Sequence, residues 1–289
     1  MTTPDFEKAA SFIAANARVL DVRRFERLFT GGDGGPVRDA VAAYRNPDGG
    51  FGHALEPDSR TPGSQPAAVA TALRVMNEAD CWDEDLVRGA CDWLERVAPA
   101  EGGAAFVQPT LTDGAWAPWW IPEEGHPASL IATGMITGQL HARRFSHPWL
   151  DRATEVMWTR IDQLAGVGPY DVRGVLDFLQ YVPDRDRARK AFDQVGDLIL
   201  GQHLVTLDPG AEGEVHLPLD FAPEPASLAR ELFGKPVIEA HLDHLAQAQL
   251  ADGGWMFNWL AWSPAAAQDW RGCVTVDALR ILRVNGRLK

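Results

Sequence analysis

Cysteine is scarce in this chain. Cys81, Cys91 and Cys273 are the three in 289 residues, widely spaced and odd in number. Such a set makes no disulfide framework, and no two stand at the close spacing of a structural zinc site. Basic charge is also short: 27 Lys and Arg face 40 Asp and Glu, for a formal net charge of -13. Phosphate backbones need a basic surface, so a nucleic-acid partner is not expected, and on anionic lipid the balance leaves room for weak surface contact at most. No run of about 18 apolar residues occurs, which argues against a spanning helix. The opening Met-Thr-Thr-Pro-Asp-Phe-Glu-Lys lacks the basic stretch and apolar run of a signal peptide, so a cytoplasmic location is expected. What the chain does have is 46% apolar residues, enough for a sizeable core, and it reads as one domain over residues 1–289.

One short pattern occurs twice. Residues 46–58 read Asn-Pro-Asp-Gly-Gly-Phe-Gly-His-Ala-Leu-Glu-Pro-Asp, and residues 249–255 read Gln-Leu-Ala-Asp-Gly-Gly-Trp. Each places Asp-Gly-Gly directly before an aromatic residue. Asp-Gly favours a turn, glycine reaches positive φ without steric cost, and the aromatic that follows suits a plug between the helices the turn joins. Around these turns the apolar periodicity is helical throughout. Amphipathic segments near 83–97, 148–164, 185–204 and 236–250 alternate with mostly apolar ones starting near 6, 67, 128, 172, 226 and 274. The first copy is reached through short helices over 21–28 and 37–44, and Pro66 and Pro127 are expected to open the helices at 67 and 128. The predicted class is therefore all-α. Hairpins repeating every 45–60 residues or so can stack as an open solenoid or close into a ring of about six. Closure accounts for an inner set of helices that is apolar on nearly all sides.

The two aromatic turns resemble the Gln-Trp type repeats of triterpene cyclases and of protein prenyltransferase β subunits. The resemblance implies an α/α toroid: an inner barrel, an outer layer, and a cavity at the end where the long loops before the inner helices gather. Carried onto this chain, it implies that His53, Glu56 and Asp58 are the acid–base candidates. Trp116, Trp119, Trp120, His126, Tyr170, Asp171, Asp220, Trp259, Asp269, Trp270 and Arg271 would line the substrate space. For each such residue taken alone, helix capping or solvated surface is the plainer explanation. The squalene-cyclase Asp-x-Asp-Asp motif is missing. So is the zinc set of the prenyltransferases, since Asp269 and Cys273 are four apart with no His after them. No metal and no cofactor are expected.

Three functions fit these residues. The first is a terpene-cyclase-like enzyme acting on a small apolar molecule, with Asp58 or Glu56 donating a proton and indole faces stabilising carbocations by about 0.5–2 kcal/mol each. The second is a non-catalytic toroid scaffold binding a lipid, a peptide or a partner protein. The third is an intracellular carbohydrate-active enzyme with paired carboxylates, such as Asp58 with Asp220 or Asp269.

Overall fold

The computed structural model describes residues 3–288. In chain order its α-helices are α1 (Phe6–Asn16), α2 (Val19–Phe29), α3 (Gly35–Ala42), α4 (Pro66–Glu78), α5 (Glu84–Val97), α6 (Leu130–Ala142), α7 (Pro148–Ile161), α8 (Pro169–Tyr181), α9 (Arg185–Gly201), α10 (Pro218–Phe221), α11 (Lys235–Gln247) and α12 (Pro264–Val284). Two 3-10 turns, Pro109–Asp113 and Leu228–Leu232, complete the set. Among the described residues β structure is confined to isolated bridges such as Arg45 with Phe51. The all-α class stands as the periodicity predicts.

The helix starts follow from local chemistry. Asp5 accepts from the Lys8 amide at 3.1 Å to cap α1, and Asp83 accepts from Asp85 and Leu86 to cap α5. Ser263 caps α12 through the Ala266 amide at 3.1 Å. A side-chain oxygen at this position satisfies a donor that has no partner inside the helix. Pro66 opens α4 as expected, but Pro127 does not open α6. Ala128 instead pairs with Ala105 in a β-bridge, and Ser129 supplies the cap.

Two further sequence expectations are corrected. The apolar helix near 226–233 is a 3-10 turn. Pro225 and the Gly234-Lys235-Pro236 break leave too few residues between them for a stable α-helix. The last helix starts at Pro264, ten residues before the expected 274. Its polar Gln268-Asp269-Trp270-Arg271 stretch reads as loop, yet these residues occupy turns of α12.

The chain divides into two compact units, residues 34–197 and the remainder. In the unit of residues 34–197, α4 packs on α6 and α6 on α8, while α5 packs on α7 and the connecting pairs α3/α4, α4/α5, α6/α7 and α7/α8 touch. This is the expected two-layer pattern, with the apolar helices adjacent to each other and the amphipathic ones adjacent to each other. The α6–α8 contact is the closest. A Cβ on Gly138 would sit 2.5 Å from the Asp177 carbonyl oxygen, one on Gly174 would sit 2.5 Å from the Leu130 carbonyl oxygen, and one on Gly134 would fall on the Gly174 carbonyl. The two backbones touch because these positions carry no side chain.

In the other unit α1 and α2 pack on α12, and α11 packs on α10 and α12. The core holds Phe12, Ile13, Phe25, Trp255, Val276 and Leu279, with the Phe6, Phe25 and Phe29 rings clustered at 5.2–5.9 Å between centres. The chain's first and last helices therefore meet, the contact that a closed ring of helical hairpins requires. A buried charge network reinforces it. Asp21 accepts from Arg18 at 2.8 Å and from Arg24 at 3.0 Å, Arg24 reaches Asp277 of α12 at 2.6 Å, and the Arg18 guanidinium meets the Cys273 sulfur.

Candidate functional site

The two Asp-Gly-Gly turns have the same geometry. In the first, the Asn46 amide donates to the Gly50 carbonyl and the Gly49 amide to the Asn46 carbonyl; in the second, Leu250 and Gly254, then Gly253 and Leu250, repeat both bonds. Asp48 and Asp252 each accept the amide two residues on, at 2.9 and 3.1 Å. Gly49 and Gly253 both have φ +94°, the left-handed region where a side chain is strained. Each aromatic is a plug. Phe51 is fully buried, and Trp255 is buried with its indole N–H donating to the Leu245 carbonyl at 2.8 Å.

Beyond the first turn the chain lies against the 105–117 segment. The Arg60 amide donates to the Ala115 carbonyl, the Ala117 amide to the Asp58 carbonyl, and Ser59 bridges to Trp116. The Gln108 amide donates to the Gln65 side chain at 2.9 Å, and the Thr61 hydroxyl to the Thr110 carbonyl at 2.7 Å. The structure thus brings Glu56, Asp58, Trp116 and Trp120 into one loop pair. Glu56 is 9% exposed and Asp58 7%, and a Glu56 oxygen accepts the Asp58 amide at 2.8 Å. Both carboxylates are wrapped by their own loop. Beside them the Ser59 hydroxyl is buried without an acceptor. His53 stands apart: it is exposed, in the left-handed region at φ 57°, with its ring nitrogen on the Asn46 side chain.

The 113–126 segment is anchored by Trp120, buried against Phe106 at 5.1 Å. Trp116 is half-buried, while Trp119, Glu123 and Glu124 are exposed. His126 is half-buried, and its Nδ1 has no partner. A void of about 10 Å³ lies between Phe106, Val107, Glu123, His126 and Pro127, room for about one water. Tyr170 is exposed in the first turn of α8, and Asp171 accepts the Gly168 amide at 3.1 Å, which makes it a helix cap.

Asp220, Trp259, Asp269, Trp270 and Arg271 belong to the other unit. Asp220 caps α10 through the Leu217 amide at 2.8 Å. Arg271 grips Asp252 of the second turn at 2.8 Å and lies over the Phe12 ring at 4.5 Å, so its charge is spent on the fold. Burial works to raise the Asp252 pKa, but Arg271 and the Gly254 amide hold the carboxyl below its ordinary value. Trp259 meets Trp270 edge-on at 5.0 Å and Phe257 at 4.9 Å. Asp269 is half-buried in α12. No group of three or more metal-ligating side chains gathers among the described residues.

Sequence reasoning missed Asp177. It is half-buried on α8, and burial pushes its carboxyl up to about 6 against the pull of Arg173 and Arg74. Its signal was a lone acid among the apolar residues of Val172–Leu179, a stretch expected to be buried.

The sequence matches no family model and no curated protein. Among solved structures, a crystal structure of a protein from Actinoplanes is similar over 97% of this chain and 98% of that one, with a TM-score of 0.59 at 14% identity. At that identity the likeness establishes a shared fold and nothing of the chemistry.

Proposed function

We propose that this protein is a non-catalytic α/α scaffold whose 113–126 segment docks a basic, apolar-anchored peptide segment of a partner protein. The supporting observation is the exposure on that segment: Ile121 is 71% exposed and Trp119 40%, beside the buried Trp120. An exposed indole is among the side chains that most often anchor protein–protein contacts, and an exposed aliphatic beside it extends the apolar patch. Asp113, Glu123 and Glu124 are exposed on the same segment and set the sign of the partner. A net charge of -13 disfavours anionic lipid as the occupant.

The packing favours this reading over the cyclase one. Glu56 and Asp58 are buried, and a Glu56 oxygen is taken up by the Asp58 amide. Acid-initiated chemistry on an isoprenoid stays as a second reading because of Asp177, whose raised pKa suits a proton donor near neutrality.

Tryptophan fluorescence during titration with a Lys/Leu amphipathic peptide tests the first reading, with an Asp/Leu peptide and anionic vesicles as comparators. Saturable binding of the basic peptide, lost in Trp119→Ala/Ile121→Ser, is expected. Equal response to the acidic peptide removes the reading. Incubation with squalene and with farnesyl diphosphate tests the second: product formed by the wild type and absent with Asp177→Asn would favour the enzyme.

A further inference from the structure

The segment from Pro223 to Glu239 makes a cleft of about 250 Å³, lined by Pro225, Arg230, Phe233, Lys235, Ile238 and Glu239. Its walls are apolar where Phe233 and Ile238 are buried. Its charge is unbalanced at Arg230. That guanidinium is half-buried and gives its Nη2 hydrogens to two neutral acceptors, the Pro223 carbonyl at 3.1 Å and the Asn285 side chain at 2.8 Å. Its Nε is buried with no acceptor at all. The carboxylates nearby are engaged elsewhere: Glu239 and Asp243 by Arg287, and Glu224 by Arg280. Burial accordingly lowers the Arg230 pKa, with Glu239 opposing. A half-buried cation without a charged partner carries a desolvation cost, which a bound anion would offset.

We propose that this cleft binds a small organic monocarboxylate with an apolar tail. The acid's oxygens meet Arg230, with Lys235 at the exposed rim, and the tail lies on Phe233 and Ile238. Guanidinium recognises carboxylate by short charge-assisted hydrogen bonds. The volume falls below the roughly 300–1,000 Å³ of drug-sized ligand sites, so an acid no larger than a single ring or short alkyl chain is the match. Phosphate shares the charge but has no tail for the apolar wall.

The test is an NMR titration of the full chain with benzoate, benzyl alcohol and inorganic phosphate, following the arginine Nε–H signals and the amides of residues 230–239. Benzoate is expected to shift Arg230 Nε–H and the Phe233 and Ile238 amides with millimolar or tighter affinity, at least about tenfold tighter than either comparator. Arg230→Gln removes that binding. Because Arg230 also ties Pro223 to Asn285, Lys235→Met at an exposed position serves as the variant that keeps the fold, and it weakens benzoate severalfold. Absence of shifts in this segment overturns the proposal, as does equal affinity for benzyl alcohol, for phosphate alone, or in a folded Arg230→Gln variant. The peptide proposal concerns the other unit and stands or falls separately.

Discussion

Replacing Asp21 by Asn tests the contact that joins the two ends of the chain. Asp21 is fully buried and accepts from two arginines, one of which, Arg24, is itself 1% exposed and reaches on to Asp277 of α12. The substitution keeps the shape and removes the charge. Arg18 and Arg24 then each lose a charged acceptor, while the Arg24 bond to Asp277 stays. Breaking one partner out of a buried ion pair costs about 3–5 kcal/mol, because the remaining charge stays out of water. With a urea dependence of roughly 3 kcal/mol per molar, the upper end for small proteins, the midpoint falls by about 1 M or more. Urea unfolding at neutral pH, followed by tryptophan fluorescence and by circular dichroism, measures it.

The pH dependence gives the sign independently. Burial acts to raise the Asp21 pKa, but the charges of Arg18 and Arg24 overcome it and the folded carboxyl lies below its ordinary value. A depressed folded pKa means stability that is present above the unfolded value, near 3.9, and lost as pH falls toward the folded one. The wild type therefore loses this contribution below about pH 4, while Asp21→Asn has none to lose. A midpoint in Asp21→Asn within about 0.3 M of wild type, or an acid limb as steep in the variant as in the wild type, would refute the network's role.

Gly134→Ala is expected to destabilise by about 1–3 kcal/mol or more, although alanine is the better helix former by about 1 kcal/mol, because its Cβ falls on the Gly174 carbonyl; thermal unfolding decides which effect wins. Gly253→Ala and Gly213→Ala separate strain from clash. Both have positive φ, but Gly253 faces the Lys8 carbonyl and Gly213 faces open space, so Gly213→Ala costs only about 1–2 kcal/mol and Gly253→Ala costs more. Trp255→Ala, at a buried plug that also donates to Leu245, costs about 3–5 kcal/mol by urea midpoint. His141 is held below its ordinary pKa by burial, so the unfolded chain takes up its proton first. Stability falls as pH drops below about 6.5, and His141→Asn flattens that slope in a pH series of melting temperatures.

Much of the fold was legible because it rests on short-range signals. Asp48-Gly49-Gly50 and Asp252-Gly253-Gly254 announce their turns, and Pro66 and the apolar run behind it announce α4. The misread segments are those where tertiary contact decides. The 264–273 stretch carries Asp269, Trp270 and Arg271, polar and aromatic residues that suit a loop. It is helical because Ser263 caps it, and Gly272 lets α12 approach Ala17. The candidate site is legible in the sequence as residue types only. Backbone pairing places Glu56, Asp58 and Trp116 on two adjoining loops, which spacing cannot reveal. Asp171, Asp220 and Arg271 have the residue types of a site, and the structure uses them as caps and as a clamp on Asp252.

The strongest constraint on function lies in residues that carry no chemistry. In a layer of apolar helices, the space between neighbours is set by side-chain size at the contact. Side chains at the contact ordinarily hold helix axes about 8–10 Å apart, and small ones let them come closer. Gly134, Gly138 and Gly174 draw α6 and α8 into backbone contact, and Asp177 carries the carbonyl that Gly138 meets. The one acid with a raised pKa on these helices is therefore fixed at their tightest seam. If chemistry occurs there, the substrate must reach a half-buried carboxylate beside that seam. Widening the α6–α8 seam would then lower stability without improving access. Enlarging the seam with Gly138→Ala and measuring both stability and the exchange of α8 amides separates the cases. A loss of protection confined to α8 supports a packed seam, and unchanged protection with full stability would mean the glycines leave slack that a ligand could use.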